Sequence, residues 1–175
     1  MRAALKIFLL QGKPVIMLKR LRWANLSWLI LTAVVVVLDQ WTKWLTISKL
    51  ALGETVHISA FLNLTHVYNT GAAFSFLSQE GGWQCFFFAV LAIIASIGLL
   101  CWLLFAEDRW QQMGLGLILG GALGNFWDRI NYCHVIDFID LHYQSWHWPV
   151  FNIADSAIVI GALIVGSFLF LTANN

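Results

Sequence analysis

Two aspartates of this sequence stand among apolar residues without a nearby basic partner. Asp137 lies in HVIDFID and Asp155 in FNIADSA, and neither has a Lys or Arg within four positions. If the two side chains meet in a site of low dielectric constant, both cannot ionise easily, so they share a proton and titrate with separated apparent pKa values. One carboxylate of such a pair takes a proton from water while the other polarises an amide carbonyl. The two aspartates are therefore candidate catalytic residues.

The same two residues also fit a proton relay or a plain structural pairing, and residue types alone leave these alternatives open. Other hydrolytic centres lack their motifs, because the sequence contains neither H-E-x-x-H nor G-x-S-x-G. The histidines form no i,i+3 or i,i+4 pair on a predicted helix, and we interpret His142 and His147 as interfacial side chains rather than metal ligands. The sequence predicts no metal and no cofactor.

Further polar side chains cluster at the ends of apolar stretches. Asn125, Asp128 and Arg129 are three or four positions apart and share one helix face, and Asn152 stands three positions before Asp155. A charged group inside a membrane span costs a few kcal/mol, so such residues are functional candidates by default. The glycines just before Asn125 would let a neighbouring helix or an extended substrate come close.

Structural interpretations compete with a functional one for two of these groups. Asp128 and Arg129 are adjacent in the sequence and could satisfy each other at the interface. Asp39 has Lys43 one helical turn later, which predicts a buried ion pair. Both alternatives remain open at the level of the sequence.

The composition requires these residues to be positioned by membrane helices. Apolar residues make up 60% of the 175 residues and charged residues 11%, against roughly 45–50% and 25% in soluble domains. These proportions exclude a soluble enzyme, a disordered chain and a nucleic-acid-binding protein, which needs a basic face. Four stretches approach the ~20 apolar residues that cross a bilayer. They are residues 23–41, 83–105, 111–130 and 150–172.

The distribution of basic residues predicts the orientation of these spans. Seven Lys and Arg residues precede the first span or lie between the second and third, and three lie on the other side. The positive-inside rule then places both termini in the cytoplasm and the polar cluster near the outer interface. Tryptophans fall at the predicted span ends, as expected of an aromatic belt. Those at the outer ends are Trp41, Trp44, Trp83, Trp127, Trp146 and Trp148.

The remaining segments are short. Residues 43–82 are rich in β-branched and aromatic side chains and predict a strand pair or small sheet on the membrane, whereas 131–149 form a shorter connection. Residues 1–22 are expected to form a cytoplasmic arm, residues 23–172 one membrane domain, and residues 173–175 a tail. Met17, followed by LKRLRW, is a plausible alternative translation start.

The sequence contains three cysteines, and the spacing of two of them excludes a disulfide between that pair. Cys85 and Cys101 are 16 positions apart in a single apolar run. On a helix this is about 24 Å, too far for a bond between them. We therefore draw no information about the redox compartment from the cysteines.

Five ordered blocks cover most of the chain, and together they resemble the bacterial lipoprotein signal peptidase family, the signal peptidase II group of membrane aspartic proteases. The similarity runs over residues 23–171. The blocks are DQWTK at 39–43, YNTGAAFSF at 68–76, GGALGNFWDRI at 120–130, HVIDFID at 134–140 and FNIADSAI at 151–158.

The resemblance implies a fold and a set of roles. The fold is mainly α, with four transmembrane helices, a small extracytoplasmic β-sheet and a short helix over the site. The catalytic pair falls on Asp137 and Asp155, whereas Asp39 and Lys43 match a block that looks structural. Substrate-binding positions match Asn69, Gly121, Asn125, Asp128, Arg129, Asn152 and Ala154.

The activity implied by the resemblance is removal of signal peptides from prolipoproteins, by cleavage before a cysteine that carries a diacylglyceryl group. The expected protein is a monomer in the bacterial inner membrane, with lipidated prolipoproteins and the phospholipid bilayer as partners and no nucleic acid. Two other classes fit the raw topology, a small proton-coupled transporter or channel subunit and a purely structural membrane protein. Transporters tend to place acids near the midplane of repeated halves, whereas these acids gather at one face and no repeat is visible.

Overall fold

Helices account for most of the chain that the computed structural model describes, which is residues 6–10, 13–17, 22–71 and 83–173. A short 3₁₀ helix, Trp23–Trp28, leads directly into the first α-helix. The four α-helices are α1 (Leu29–Lys49), α2 (Trp83–Phe105), α3 (Arg109–Tyr132) and α4 (Ile153–Ala173). The strands are β1 (Lys6–Leu10), β2 (Lys13–Met17), β3 (Thr55–Ser59), β4 (Leu62–Asn69), β5 (Val135–Tyr143) and β6 (Trp146–His147).

The helices direct polar side chains inward and large apolar side chains outward. The buried face of α1 repeats at helical spacing and is mostly polar, with Thr32, Val35, Asp39, Lys43 and Thr46. Large apolar side chains on the outer surfaces of the bundle are exposed, many of them by more than half. Three helical segments are long and apolar enough to cross a membrane: Ala24–Lys49, Cys85–Phe105 and Ile153–Ala173. This pattern is typical of a bundle solvated by lipid.

Helix α3 lies at the centre of the bundle, against the other three helices. It begins at an N-cap, where the Asp108 carboxylate accepts hydrogen bonds from the backbone N–H groups of Trp110 and Gln111. Its glycines remove side chains where α4 approaches. A Cβ on Gly114 would lie 2.8 Å from the carbonyl oxygen of Gly161 on α4, so no larger residue fits without a shift.

A small antiparallel sheet covers one end of the bundle, with strand order β3-β4-β5-β6. Strand β4 pairs with β5 so that Asn69 faces Val135 and Asn63 faces Asp140. Beyond β6 the chain returns to β5 through a bridge between Ile139 and Phe151. This bridge places Phe151, and the start of α4 two residues later, against the middle of β5.

Two boundaries differ from the expectations of the sequence. The first apolar stretch does not end at 41, because α1 continues to Lys49 with Lys43 and Thr46 on its buried face. Residues 131–149 are not a simple connection, since most of them form β5 and β6 of the sheet. The strand pair predicted within 43–82 is confirmed by β3 and β4.

The structure contains a disulfide that the spacing within one span did not address, and Cys85 and Cys101 are not bonded to each other, as that spacing predicts. Cys85, in the first turn of α2, is bonded to Cys133, the left-handed residue that ends α3. Because α2 and α3 pack side by side and are joined by a short connection after Phe105, the start of one meets the end of the other. Spacing along a single span could not reveal this pairing between two helices. Cys101 is free and exposed.

The predicted arm at 1–22 contains a two-stranded hairpin. Strands β1 and β2 pair antiparallel, and among the described elements they contact only each other. Residues 1–5, 11–12 and 18–21 of that arm lie outside the described residues, as do 72–82 of the predicted outer segment and 174–175 of the tail. In the described parts of 50–82 and 133–149 there is no short helix of the kind that the resemblance implies.

Candidate functional site

Polar side chains from all parts of the bundle meet beneath the sheet in one connected group, which we call the carboxylate network. It combines acids, amides and a single lysine from α1, β4, α3, β5 and the start of α4. Its members are Asp39, Lys43, Asn69, Asn125, Asp128, Asp137, Asn152 and Asp155.

Lys43 is the positive centre of the network. Its Nζ lies 2.8 Å from Oδ2 of Asp39 and 2.7 Å from Oδ2 of Asp128. All three side chains are buried, with at most 1% exposed. The sequence interpretation of Asp39 as the buried partner of Lys43 is therefore confirmed. The structure does not pair Asp128 with Arg129, because the cation that contacts the Asp128 carboxylate is Lys43.

The two carboxylates beside Lys43 have further donors. Gln40 donates through Nε2 to Asp128 Oδ1 at 2.8 Å and to Asp39 Oδ2 at 3.2 Å. The backbone N–H of Ala154 donates to Asp39 Oδ1 at 2.9 Å, and that of Ile136 donates to Asp128 Oδ2 at 3.2 Å. Lys43 and its partners thus anchor α1 to α3, to the start of α4 and to β5.

Asn125 links Lys43 to Asp155, one of the two candidate catalytic acids. Its Oδ1 accepts from Lys43 Nζ at 3.0 Å and from Asn152 Nδ2 at 3.2 Å. These two donors fix the orientation of the amide, so Nδ2 is the atom that points away from them. It donates to Asp155 Oδ1 at 2.7 Å.

Asn152 holds both candidate catalytic acids. Its Nδ2 donates to Asp137 Oδ1 at 2.7 Å, and its backbone N–H donates to Asp155 Oδ2 at 3.3 Å. In return, the backbone N–H of Asp155 donates to Asn152 Oδ1 at 2.9 Å. This reciprocal pair is a capping box that starts α4. The same local motif therefore begins the helix and fixes Asp155 against the partner of Asp137.

Asp137 lies on β5 and is almost completely buried, with 2% exposed. Asn69 of β4 donates to its second oxygen, Oδ2, at 2.9 Å. Burial raises the pKa of Asp137 to about 6; the amide of Asn69 opposes this rise, whereas the nearby charge of Asp155 adds to it. The carboxylate of Asp155 is therefore close enough to act electrostatically on Asp137.

Arg129 lies beside the network without joining its ion pairs in the described part of the chain. Its Nη1 donates to the backbone oxygen of Asn125 at 3.2 Å, and its guanidinium lies 5.5 Å from the ring centroid of Phe88 on α2. It is near enough to Asp155, Asp128 and Asp137 to interact with all three electrostatically. Within the part of the chain that the structure describes, its other guanidinium donors have no hydrogen-bond acceptor.

Gly121 and Ala154 lie where α3 packs against the first turn of α4. A Cβ on Gly121 would collide with the backbone carbonyl of Ala154 and with Ile158, so this glycine lets α3 contact the first turn of α4. Ala154 is completely buried, and its backbone N–H binds Asp39. The structure thus brings every predicted site residue to the same end of the bundle, and these two shape the backbone there.

Sequence reasoning missed Gln40 and Phe88. Gln40 stands inside the DQWTK block, next to Asp39, and an amide adjacent to a predicted buried ion pair is a signal that could have identified it. Phe88 lies in a uniformly apolar run, which holds no such signal. Among the described residues, no group of three or more His, Cys, Asp or Glu side chains is arranged to hold a metal ion.

The fold and this network define a class of protein, a multi-pass helical membrane protein with a buried carboxylate site beneath a small sheet. Comparison with known proteins makes the class specific. The model of the family described as signal peptidase (SPase) II matches residues 31–171. The chain therefore belongs to the signal peptidase II family.

Individual relatives agree with this assignment. A lipoprotein signal peptidase of Coxiella burnetii (strain Dugway 5J108-111) is 47% identical over 150 residues, which cover 85% of this chain and 92% of the relative. One of Acinetobacter baumannii (strain AB307-0294) is 49% identical over 143 residues, which cover 81% of each chain. A solved bacterial membrane enzyme matches with a TM-score of 0.75 and 31% identity, over 91% of this chain and 96% of that one.

The family and the apolar helices together identify a protease that crosses the bacterial membrane several times. The alternative of a proton-coupled transporter finds no support in these comparisons. The resemblance drawn from the five sequence blocks is confirmed.

Proposed function

We propose that this protein is an aspartic endopeptidase that removes signal peptides from prolipoproteins, with Asp137 and Asp155 as its catalytic pair. The family and the names of its relatives support the reaction. The observation that carries the catalytic assignment is the position of Asn152, which donates to both carboxyl groups at once. Two acids that share Asn152 as a hydrogen-bonding partner, one of them under the electrostatic influence of the other, form a unit that can hold one proton.

The geometry supports catalysis by an activated water. One carboxylate takes a proton from the water, which attacks the scissile carbonyl carbon, while the protonated partner donates a hydrogen bond to the carbonyl oxygen. The amine of the leaving peptide then receives a proton from the pair, and no covalent intermediate forms. Asn69, Asn125 and Asn152 keep the two carboxyl groups oriented through this cycle, since each donates to one of them.

A membrane topology follows from this assignment. We propose that α3 is a fourth span, that both termini are cytoplasmic and that the carboxylate network faces the outer side, because basic residues concentrate at the opposite end of the helices. The diacylglyceryl chains of the substrate would remain in lipid while its cleavage site, before the modified cysteine, reaches the network. The signal helix must unwind there, since a helical amide is not accessible to water.

Arg129 is the strongest candidate for a direct substrate contact. Its guanidinium has donors beyond the one that binds Asn125 O, and it lies at the edge of the network. It would bind a backbone carbonyl that unwinding leaves without a partner. The enzyme is proposed to act as a monomer on lipidated prolipoproteins, without nucleic acid, metal or cofactor.

The test replaces each acid by its amide. Asp137→Asn and Asp155→Asn should each lower cleavage of a lipidated prolipoprotein at least about a hundredfold, because each removes one half of the acid–base pair. Both variants should still insert and unfold cooperatively. Asp108→Asn is a matched control, since asparagine is an equally good N-cap for α3 and the site is at the opposite end of that helix. Cleavage within tenfold of the unmodified enzyme by either site variant would refute the pair.

A further inference from the structure

A second polar arrangement crosses the sheet itself, one side chain from each strand. His57 of β3 contacts Asn63 of β4, with Nδ1 2.8 Å from Oδ1. Asn63 Nδ2 donates to Asp140 Oδ2 of β5 at 2.8 Å. His147 of β6 lies on the other side of that carboxylate, with Nδ1 2.7 Å from Oδ1. We call these four residues, His57, Asn63, Asp140 and His147, the sheet ladder.

The direction of each hydrogen bond in the sheet ladder is determined by the carboxylate. Asp140 can only accept when it is ionised, so Asn63 must turn its NH₂ group toward Asp140 and its oxygen toward His57. Both histidines then donate through Nδ1. Burial alone would raise the pKa of Asp140, but the hydrogen bonds from Asn63 and His147 outweigh it and hold that pKa below its ordinary value. Asp140 is therefore an ionised acceptor for two donors.

Asp140 lies within the chain segment that links the two proposed catalytic acids. From Asp137 the chain continues along β5 through Asp140, turns, returns as β6, and reaches Phe151 and Asn152. Strand β6 contains two residues and pairs with β5 through His142–His147 and Tyr143–Trp146, and directly after it the backbone N–H of Trp148 donates to Leu141 O at 2.8 Å. Such a short strand is weakly held by its backbone alone. His147, on this short strand, makes a hydrogen bond to the buried carboxylate of Asp140, which is 6% exposed. This contact reinforces the pairing of β6 with β5.

The return of the chain determines where Asn152 lies. The backbone N–H groups of Phe138 and Ile139 both donate to Phe151 O, at 3.1 and 2.8 Å, and Phe151 N–H donates to Ile139 O at 3.1 Å. Asn152 follows immediately and donates to Asp137 and Asp155. If β6 separates from β5, the backbone hydrogen bonds of Phe151 are left to hold the segment that leads to Asn152, and the position of this amide should become less well fixed.

We propose that Asp140 and His147 are positioning residues for the cleavage reaction, which hold the β5–β6 hairpin in register and so keep Asn152 between the two catalytic acids. The proposal rests on the proposed function for its kinetic consequence and on the hairpin geometry for its structural one. Neither residue is assigned a contact with substrate. Their effect is therefore on turnover rather than on substrate binding.

The kinetic test compares paired variants of the full chain in proteoliposomes, with a lipidated prolipoprotein as the probe. Asp140→Asn leaves two donors facing one acceptor and should lower kcat about tenfold with KM unchanged within about twofold. His147→Ala should lower kcat about fivefold, and His147→Gln, whose amide can donate to Asp140, should recover most of it. Glu54→Gln removes an exposed acid from the same outer segment and should change neither constant.

A separate readout does not depend on activity. Hydrogen exchange of the backbone amides in 138–152 should be about tenfold faster in Asp140→Asn and His147→Ala than in the unmodified chain, while exchange in α2 is unchanged. If the unmodified chain cleaves no lipidated prolipoprotein, the proposed function fails, and exchange alone decides the positioning proposal. If Asp140→Asn does not fold, His147→Ala carries the test, because the His147 side chain is half exposed.

Unchanged exchange in 138–152 would overturn the proposal, whatever the activity. Equal kcat for His147→Ala and His147→Gln would also overturn it, since the missing hydrogen bond would then not matter. A rise in KM with kcat preserved would assign these residues to substrate binding instead of positioning and would equally reject it.

Discussion

The two ends of the helical bundle each bury a group of polar side chains, and the two groups are built differently. The one opposite the carboxylate network, which we call the amide cluster, consists of Asn25, Trp28 and Gln112. Asn25 Nδ2 donates to the backbone oxygens of Leu103 and Ala106, each at 2.8 Å. Gln112 Nε2 donates to Ala106 O and to Asn25 Oδ1, and Trp28 Nε1 donates to Gln112 Oε1.

The amide cluster is neutral and complete within itself. It satisfies carbonyl groups at the end of α2, which a helix leaves without intrahelical partners. The carboxylate network contains four acids and one lysine, so it holds an excess of negative charge that hydrogen bonds must stabilise. Helix ends can be joined with uncharged amides alone, as the amide cluster does. The difference is what the proposed catalytic function of the carboxylate network predicts, because buried charge is not needed merely to join helix ends.

The largest effect that would distinguish the carboxylate network from the amide cluster is expected from Lys43→Met. The substitution leaves Asp39 and Asp128 buried and facing each other without a cation, and removal of one partner from a buried ion pair costs roughly 3–5 kcal/mol. We expect the free energy of unfolding in detergent to fall by about that amount and the cleavage activity to be lost with the anchoring of α1. Denaturant titration of the purified protein measures the first, and peptide cleavage the second.

Lys49→Met is the matched control for this variant. Lys49 ends the same helix but is exposed, and its loss should change the free energy of unfolding by less than about 0.5 kcal/mol. If Lys43→Met were as stable as Lys49→Met, Lys43 would not be the residue that stabilises the buried carboxylates of Asp39 and Asp128, and the contrast between the two clusters would lose its energetic basis.

The carboxylate network should respond to pH where the amide cluster cannot. The folded protein raises the pKa of Asp137 to about 6, whereas an unfolded aspartate titrates near its ordinary value. Between about pH 4 and 6 the folded state therefore binds more protons than the unfolded one, and the contribution of Asp137 to stability decreases as pH rises. The full rise of the Asp137 pKa on folding, from 3.8 to about 6, corresponds to a contribution of about 3 kcal/mol to the free energy of unfolding.

Denaturant titrations across this range, compared between the unmodified protein and Asp137→Asn, measure that contribution directly. The difference in unfolding free energy should change by about 2 kcal/mol between pH 4 and 6.5 and be nearly constant above it. Gln112→Ala should keep the full pH dependence of the unmodified protein, because the amide cluster contains no titratable group. A difference independent of pH would mean that Asp137 is not buried as a carboxyl group.

Much of the carboxylate network was predictable because its chemistry is local in sequence. Asp39 and Lys43 are one helical turn apart, and their ion pair exists as predicted. The i,i+3 spacing of Asn152 and Asp155 is the spacing of a capping box, which both side chains form. Residues that share a helix turn carry their geometry in their spacing.

Contacts between distant elements were not predictable in the same way. Cys85 and Cys133 are 48 positions apart, and their bond follows from the side-by-side packing of α2 and α3. Residues 131–149 look like a connection because acids and histidines interrupt the apolar alternation of β5, yet those residues are polar because they pair with β4, β6 and the start of α4. Tertiary partners, rather than local propensity, decided that strand.

The smallest and most discriminating effect is expected from the same truncation at each end of the bundle. Asn152→Ala and Gln112→Ala each remove a buried amide with several partners, and each should reduce the free energy of unfolding by roughly 1–3 kcal/mol.

Only Asn152→Ala should also lower kcat, because it releases Asp137 and Asp155 from their common donor, whereas Gln112 binds neither acid. Similar stability with unequal turnover would separate the two clusters by function, since the loss of a buried amide is common to both variants. An equal loss of turnover would instead mean that the two proposed catalytic acids depend on the stability of the whole bundle. In that case the amides around Asp137 and Asp155 would serve packing, as those around Gln112 do.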